Sequence, residues 1–208
     1  MRRLGVIAAT AIGVSACAYQ AQAPVTPASN VVVSFGTKIP GKWLVFSEGE
    51  RLDSLVRPSD INCSAHNFPL SFRGSFPGSV RGTLANLFES IETVDRPVSG
   101  EELRRRGARG MVTIRGEDVR GTLRVAPGFW SANIITEVRI TASIVVDGTS
   151  GRIFGQTVDG DGRGDTDAGA FCAGGAVSLS RSSEEALRVT MRRLGEAIGN
   201  SERVRAAR

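Results

Sequence analysis

The stretch WSANIITEVRITASIVVD, residues 130–147, decides the fold. Trp130, Ala132, Ile134, Val138, Ile140, Ala142, Ile144 and Val146 alternate with Ser131, Asn133, Glu137, Arg139, Thr141, Ser143 and Asp147. A period of two sends the two sets to opposite faces of a β-strand, one buried and one wet. Such one-sided burial marks an antiparallel sheet with helices packed on one face. Downstream, Asp147-Gly148-Thr149-Ser150-Gly151 reads as a turn and 152–158 as the returning strand of a hairpin. Upstream, 110–119 offers another strand.

Working outward, Val31-Val32-Val33 and Trp43-Leu44-Val45-Phe46 read as short strands separated by the Ile39-Pro40-Gly41 turn. Ser79 reads as the N-cap of a helix presenting Val80, Leu84, Leu87 and Phe88, and Ile91 and Val94 suggest a brief strand after it. Ser99-x-x-Glu102 is a capping box for a short helix stopped at Gly107. A second box, Ser182-x-x-Glu185, opens an amphipathic helix with Leu187, Met191, Leu194 and Ile198 on one stripe. Strands and segregated helices in this order give an α+β fold, a two-layer sandwich of mainly antiparallel sheet with helices on one face. The chain of 208 residues is 41% hydrophobic and 23% charged, enough apolar material for one packed domain and far from the composition of disorder.

The N-terminus reads as an address. Arg2 and Arg3 precede an eleven-residue apolar stretch, Leu4 to Val14, the length of a signal-peptide core and too short to span a bilayer. Val14-Ser15-Ala16-Cys17 follows. This tetrapeptide resembles the lipobox of bacterial lipoprotein precursors, which implies cleavage before Cys17 and acylation of that cysteine as a membrane anchor. A competing secretory cleavage after Ala21-Gln22-Ala23 is disfavoured by Pro24 and leaves Cys17 without a role. Ala18 is not the aspartate of inner-membrane retention, so the resemblance implies an outer-membrane lipoprotein facing the periplasm.

The expected organisation is a signal peptide at 1–16, a lipidated flexible tether at 17–30, one periplasmic domain at 31–200 and a disordered tail at 201–208. With Cys17 acylated, the two remaining cysteines of an exported chain, Cys63 and Cys172, form an even pair and are expected to be bridged. The order of lipobox, tether, helix, a hairpin of the form Val145-Val146-Asp147-Gly148-x-x-Gly151-Arg152 and a final helix resembles the YajG, LptE and CsgG groups of periplasmic lipoproteins. That resemblance implies a non-catalytic role in assembly, transport or partner binding and carries over no active-site residue.

Several constellations bear on possible chemistry. Basic residues number 26 against 21 acidic, and loss of Arg2 and Arg3 leaves 24 against 21, a modest net of +3. Arg104, Arg105, Arg106 and Arg109 could contact phosphate, but no nucleic-acid motif accompanies them, and cations at a helix end complement its dipole. Asp159-Gly160-Asp161-Gly162-Arg163-Gly164-Asp165-Thr166-Asp167 has the alternate carboxylates of a calcium loop, yet Arg163 and Ala170 fall where ligands belong. It reads as a flexible loop. His66 is the single histidine; beside Cys63 it would suit a small hydrolase, which requires a free thiol. No nucleophile elbow, zinc signature or phosphate loop is present, so the expectation is no catalysis, no cofactor and no metal. The expected partners are the membrane, through Cys17, and an envelope protein, with no nucleic acid. The alternatives are an auxiliary lipoprotein of a lipid or solute transport system, the Cys63/His66 hydrolase, and a subunit of an envelope ring or channel.

Overall fold

The computed structural model describes residues 21–59, 63–128, 132–169 and 172–207. In chain order the elements are β1 (Ala21–Gln22), β2 (Ile39–Glu48), β3 (Asp53–Val56), β4 (Phe68–Ser71), α1 (Ser75–Leu87), β5 (Phe88–Thr93), α2 (Gly100–Arg105), β6 (Gly110–Pro127), β7 (Ala132–Gly148), β8 (Gly151–Asp167), α3 (Gly174–Gly199) and α4 (Glu202–Ala206). The expected α+β layering holds. A five-stranded sheet in the order β5-β2-β6-β7-β8 carries α1, α3 and a small β1-β4-β3 sheet on one face. It is mixed rather than purely antiparallel, because β2 runs parallel to both β5 and β6.

The alternating stretch forms β7, from Ala132 onward, and Trp130 lies outside the described residues. Ile134, Val138, Ile140, Ala142, Ile144 and Val146 are buried on the helix side, where Leu187, Met191, Leu194 and Ile198 of α3 meet them. Leu52 and Val56 pack where Gly116 and Gly121 of β6 leave room, so the small sheet sits directly on the backbone of the large one. Trp43 packs tilted on Phe88, ring centroids 5.2 Å apart, and its indole N–H donates to the Pro40 carbonyl at 3.1 Å. On the opposite face, Leu103 and Ala108 cover Leu44 and Met111, fixing α2 over one end of the sheet. The Ser99 hydroxyl accepts from the Glu102 N–H, so Ser99 is the expected N-cap, while the Glu102 carboxylate turns to Arg96 and Arg106 rather than completing the box, and Gly107 at φ 63° ends that helix.

Six expectations are corrected. Ile39-Pro40-Gly41 is not a turn but the opening of β2. Helix α1 begins at Ser75, and Ser79 lies inside it with its hydroxyl donating to the Ser75 carbonyl. Helix α3 begins at Gly174, two turns before the second capping box, and Ser182 is a fully buried helix residue. Residues 31–33 are not a strand. Glu202–Ala206 is not a disordered tail but a helix capped by the Ser201 hydroxyl, with Val204 buried. Finally, Asp159–Asp167 is not a loop.

That segment is the second half of β8, paired with β7 from Thr141↔Asp159 to Asn133↔Asp167. Its aspartates and Arg163 point to solvent while Gly160, Gly162 and Gly164 turn toward α3. A Cβ at any of the three would strike the helix: Thr190 and the Ala186 carbonyl at 160, the Ser182 carbonyl and Ala186 nitrogen at 162, the Ser178 carbonyl at 164. Small residues at 178, 182, 186 and 190, one turn apart, complete the seam, so helix and strand meet backbone to backbone. Within it the Thr136 hydroxyl lies 2.8 Å from Ser178 Oγ and 3.1 Å from Ser182 Oγ.

Candidate functional site

The segment expected to be a flexible tether is, over its described part, clasped to the fold. From Ala23 to Phe35 it runs as an irregular strap over the seam between α1 and α3. Val25 lies against Gly78 and Pro27 against Gly82, one turn apart on α1; Val31 lies against Gly195 and Val33 against Gly199, one turn apart on α3. The glycines lower the groove floor so that strap side chains occupy the space of missing Cβ atoms. Ser79 and Thr83 hydroxyls each donate to the carbonyl one turn back, at 2.7 and 2.8 Å. Their free lone pairs accept the strap's Thr26 N–H at 2.8 Å and Ala28 N–H at 3.0 Å. Asn200 closes the far end, accepting from the Ser34 N–H at 2.7 Å and donating to the Val32 carbonyl at 3.1 Å. Ala23 and Ala28 are buried.

The outer face of the large sheet is a lattice of paired charges. Arg139 contacts Asp161 at 2.5 Å, Arg163 contacts Glu137 at 3.1 Å, and Thr141 donates to Asp159 at 2.7 Å. Asp161 beside it raises the Arg139 guanidinium above its ordinary value, chiefly through their hydrogen bond. A shallow depression of about 510 Å³ lies among Arg120, Glu137, Arg139, Asp161 and Arg163. Its charges are mutually neutralised and exposed, which suits a solvated surface.

The arginine cluster is likewise internally satisfied. Arg105 pairs with Glu101 at 3.1 Å; Arg106 bridges Glu92 and Glu102; Arg104 and Arg109 donate to the carbonyls of Thr149 and Ala207. Lys42, with Arg106 behind it, holds the Glu92 carboxyl below the ordinary glutamate value, the Lys42 hydrogen bond being the main cause. Each of these four guanidinium groups thus has a partner within the protein.

Of the expected site residues, Cys17 lies outside the described residues. Cys63 and Cys172 form a disulfide with Cα atoms 6.0 Å apart, tying the segment before β4 to the start of α3. At half-buried His66 the chain folds back so that the backbone N–H donates to the Cys63 carbonyl at 3.0 Å. With its sulfur in a disulfide, Cys63 has no thiol to offer as a nucleophile, and the Cys63/His66 pair the hydrolase alternative needs is not available in this oxidised state. The Asp159–Asp167 carboxylates, spread along a strand, do not converge, and among the described residues no group of three ligand side chains could hold a metal. The strap was missed. Its available signal was the four-residue glycine spacing at 78/82 and 195/199, which marks close backbone approach on two helices.

No protein-family model matches the chain, and no curated protein matches it. Among solved structures the chain is similar to protein XCC0632 from Xanthomonas campestris, at 11% identity and a TM-score of 0.46, covering 86% of this chain and 92% of that one. It is also similar to a neuraminyllactose-binding hemagglutinin homolog from Helicobacter pylori, at 9% identity, a TM-score of 0.40, and 83% and 87% coverage. A PelC dodecamer from Paraburkholderia phytofirmans matches at 13% identity, a TM-score of 0.28, and 76% and 96% coverage. These scores are too low to carry function across. No helix of the described residues is long and apolar enough to cross a membrane.

Proposed function

We propose that the chain is a lipid-anchored envelope protein: acylated at Cys17, held at the outer membrane facing the periplasm, and binding a protein or envelope component without catalysing a reaction. The observation that carries the anchor is Val14-Ser15-Ala16-Cys17 directly after an eleven-residue apolar core. The Cys63–Cys172 disulfide supports export, since such bridges persist in oxidising compartments. Absence of catalysis is part of the same reading.

Metabolic labelling with a fatty acid tests the anchor. The wild-type chain takes up label and sediments with outer membranes, whereas Cys17→Ser takes up none and accumulates as the uncleaved precursor. An unlabelled wild-type chain in the soluble periplasmic fraction refutes the reading. Crosslinking of the labelled protein in intact envelopes then identifies what it binds.

A further inference from the structure

The clasped strap changes how far an anchor can lie from the domain. A free tether from Cys17 to Asn30 would reach about 45 Å, but the fold takes hold of the chain at Ala21, four residues after Cys17, which leaves a reach of about 14 Å. Ala21 pairs with Leu70 in the small sheet, in the same layer as α1 and α3 and on the opposite side of the domain from the charge lattice.

The exposed apolar side chains divide between the two sides in the same sense. Among the described residues, Val25, Val32, Phe35, Leu55 and Val177 are exposed on the strap-bearing layer, and Ile135 alone on the sheet face. Leu55 points away from the large sheet because its neighbour Val56 is buried toward it. Val177 is eighteen residues, five full turns, before Gly195 and so lies on the α3 stripe that carries the strap. Charge follows the same division. From residue 21 to residue 37 the strap has no ionisable side chain, α1 carries Arg81 and no acid, Arg57 and Arg73 flank it on the small sheet with Asp53 paired to Arg73, and α3 carries four arginines against three glutamates. On the sheet face, by contrast, the charges are held in neutralising pairs, Arg139 with Asp161 and Arg163 with Glu137.

We propose that the strap-bearing layer is an interaction surface for an anionic phospholipid bilayer, lying against the membrane while the charge lattice faces away. This rests on the anchor reading above. Exposed apolar side chains beside arginines are the combination that seats at an acidic headgroup boundary, whereas exposed, mutually paired charges gain nothing from leaving water.

The test uses the full acylated chain. Because Cys17 is acylated and the other two cysteines are bridged, Leu55→Cys, Val177→Cys and Ile135→Cys each add one reactive thiol at an exposed position. Each variant is labelled with an environment-sensitive fluorophore and reconstituted into phosphatidylethanolamine–phosphatidylglycerol vesicles carrying spin-labelled headgroups. Labels at 55 and 177 should be quenched several-fold more than the label at 135. Equal quenching at the three positions, or stronger quenching at 135, overturns the orientation. Labels at 55 and 177 shielded from both the lipid quencher and a water-soluble one indicate that a protein covers this face, and overturn it too. The mass of the N-terminal peptide from the same preparation separates the two claims. A peptide without acyl chains refutes the anchor itself, whereas an acylated peptide with equal quenching refutes the orientation alone.

Discussion

Replacing Gly162 by alanine adds one methyl group where α3 leaves no space for it. The new Cβ would overlap the Ser182 carbonyl and the Ala186 nitrogen, both backbone atoms of the helix, and would lie 3.0 Å from Glu185 Cβ. No side chain can rotate away to relieve this. The helix must lift, yet Gly160 and Gly164 on either side hold it at the same closeness. Overpacking of this kind costs about 1–3 kcal/mol, toward the upper end when the obstacle is backbone. Restriction of the unfolded chain by alanine returns about 0.4–1 kcal/mol, leaving a net loss of about 2 kcal/mol. With a urea dependence of about 2 kcal/mol/M, the unfolding midpoint falls by about 1 M, and the Tm by about 4–8 °C. Gly155→Ala is the control. It makes the same change on the same strand, where the only neighbour is the Ile144 carbonyl at 3.8 Å, and should shift the midpoint little. A Gly162→Ala protein as stable as Gly155→Ala would refute the backbone seam.

Reducing the Cys63–Cys172 bridge opens a constraint spanning 109 residues, worth about 4–5 kcal/mol of loop-closure entropy, so calorimetry with and without reductant should show a sharp fall in Tm. Thr83→Ala removes the acceptor of the buried Ala28 N–H and should cost about 1–3 kcal/mol, with amide exchange at Ala28 accelerating far more than exchange in β7. Thr136→Val removes the partner of the buried Ser178 hydroxyl and the bond that Ser182 accepts, though Ser182 still donates to the Leu179 carbonyl; it should destabilise by a similar amount in urea titration, whereas Thr136→Ser should retain most of the stability. Glu92 is held below its ordinary value, so its pairing contributes above the unfolded-state pKa and is lost as pH falls through the folded one; carboxyl NMR should show its midpoint rising when Lys42 is replaced by methionine.

What was legible in the sequence followed from how each element is buried. Strand β7 announces itself because its inward residues are large and apolar, and the lower stripe of α3 does so for the same reason. Strand β8 alternates just as strictly, but its inward residues are glycines, and burial by bare backbone has no hydrophobic signature. Asp-Gly repeats therefore read as loop. The start of α3 was masked by Gly174 and Gly175 and by a serine that satisfies a capping-box pattern while sitting in the core. Ser182 shows why such a pattern needs its context: its hydroxyl is spent on the Leu179 carbonyl and Thr136, not on a helix terminus. The strap escaped because alanine, proline and threonine bury little surface each. Its hold comes from hydroxyls and glycines more than fifty positions away, a relation no local window contains. The disulfide was legible from parity and compartment rather than from geometry.

The course of the strap also sets how the molecule bears load. Residues 25–28 advance along α1 in the same direction as 78–83, and 31–33 advance along α3 in the same direction as 195–199. A pull on residue 21 directed along this line therefore acts in shear rather than peeling the chain off one contact at a time. The Thr26–Ser79, Ala28–Thr83 and Ser34–Asn200 bonds share the force, together with the parallel β1–β4 pairing. Rupture then requires several bonds to fail together, whereas a pull perpendicular to the groove would open them in sequence. The fold thus has a strong axis and a weak one at the end of the chain by which it would be tethered.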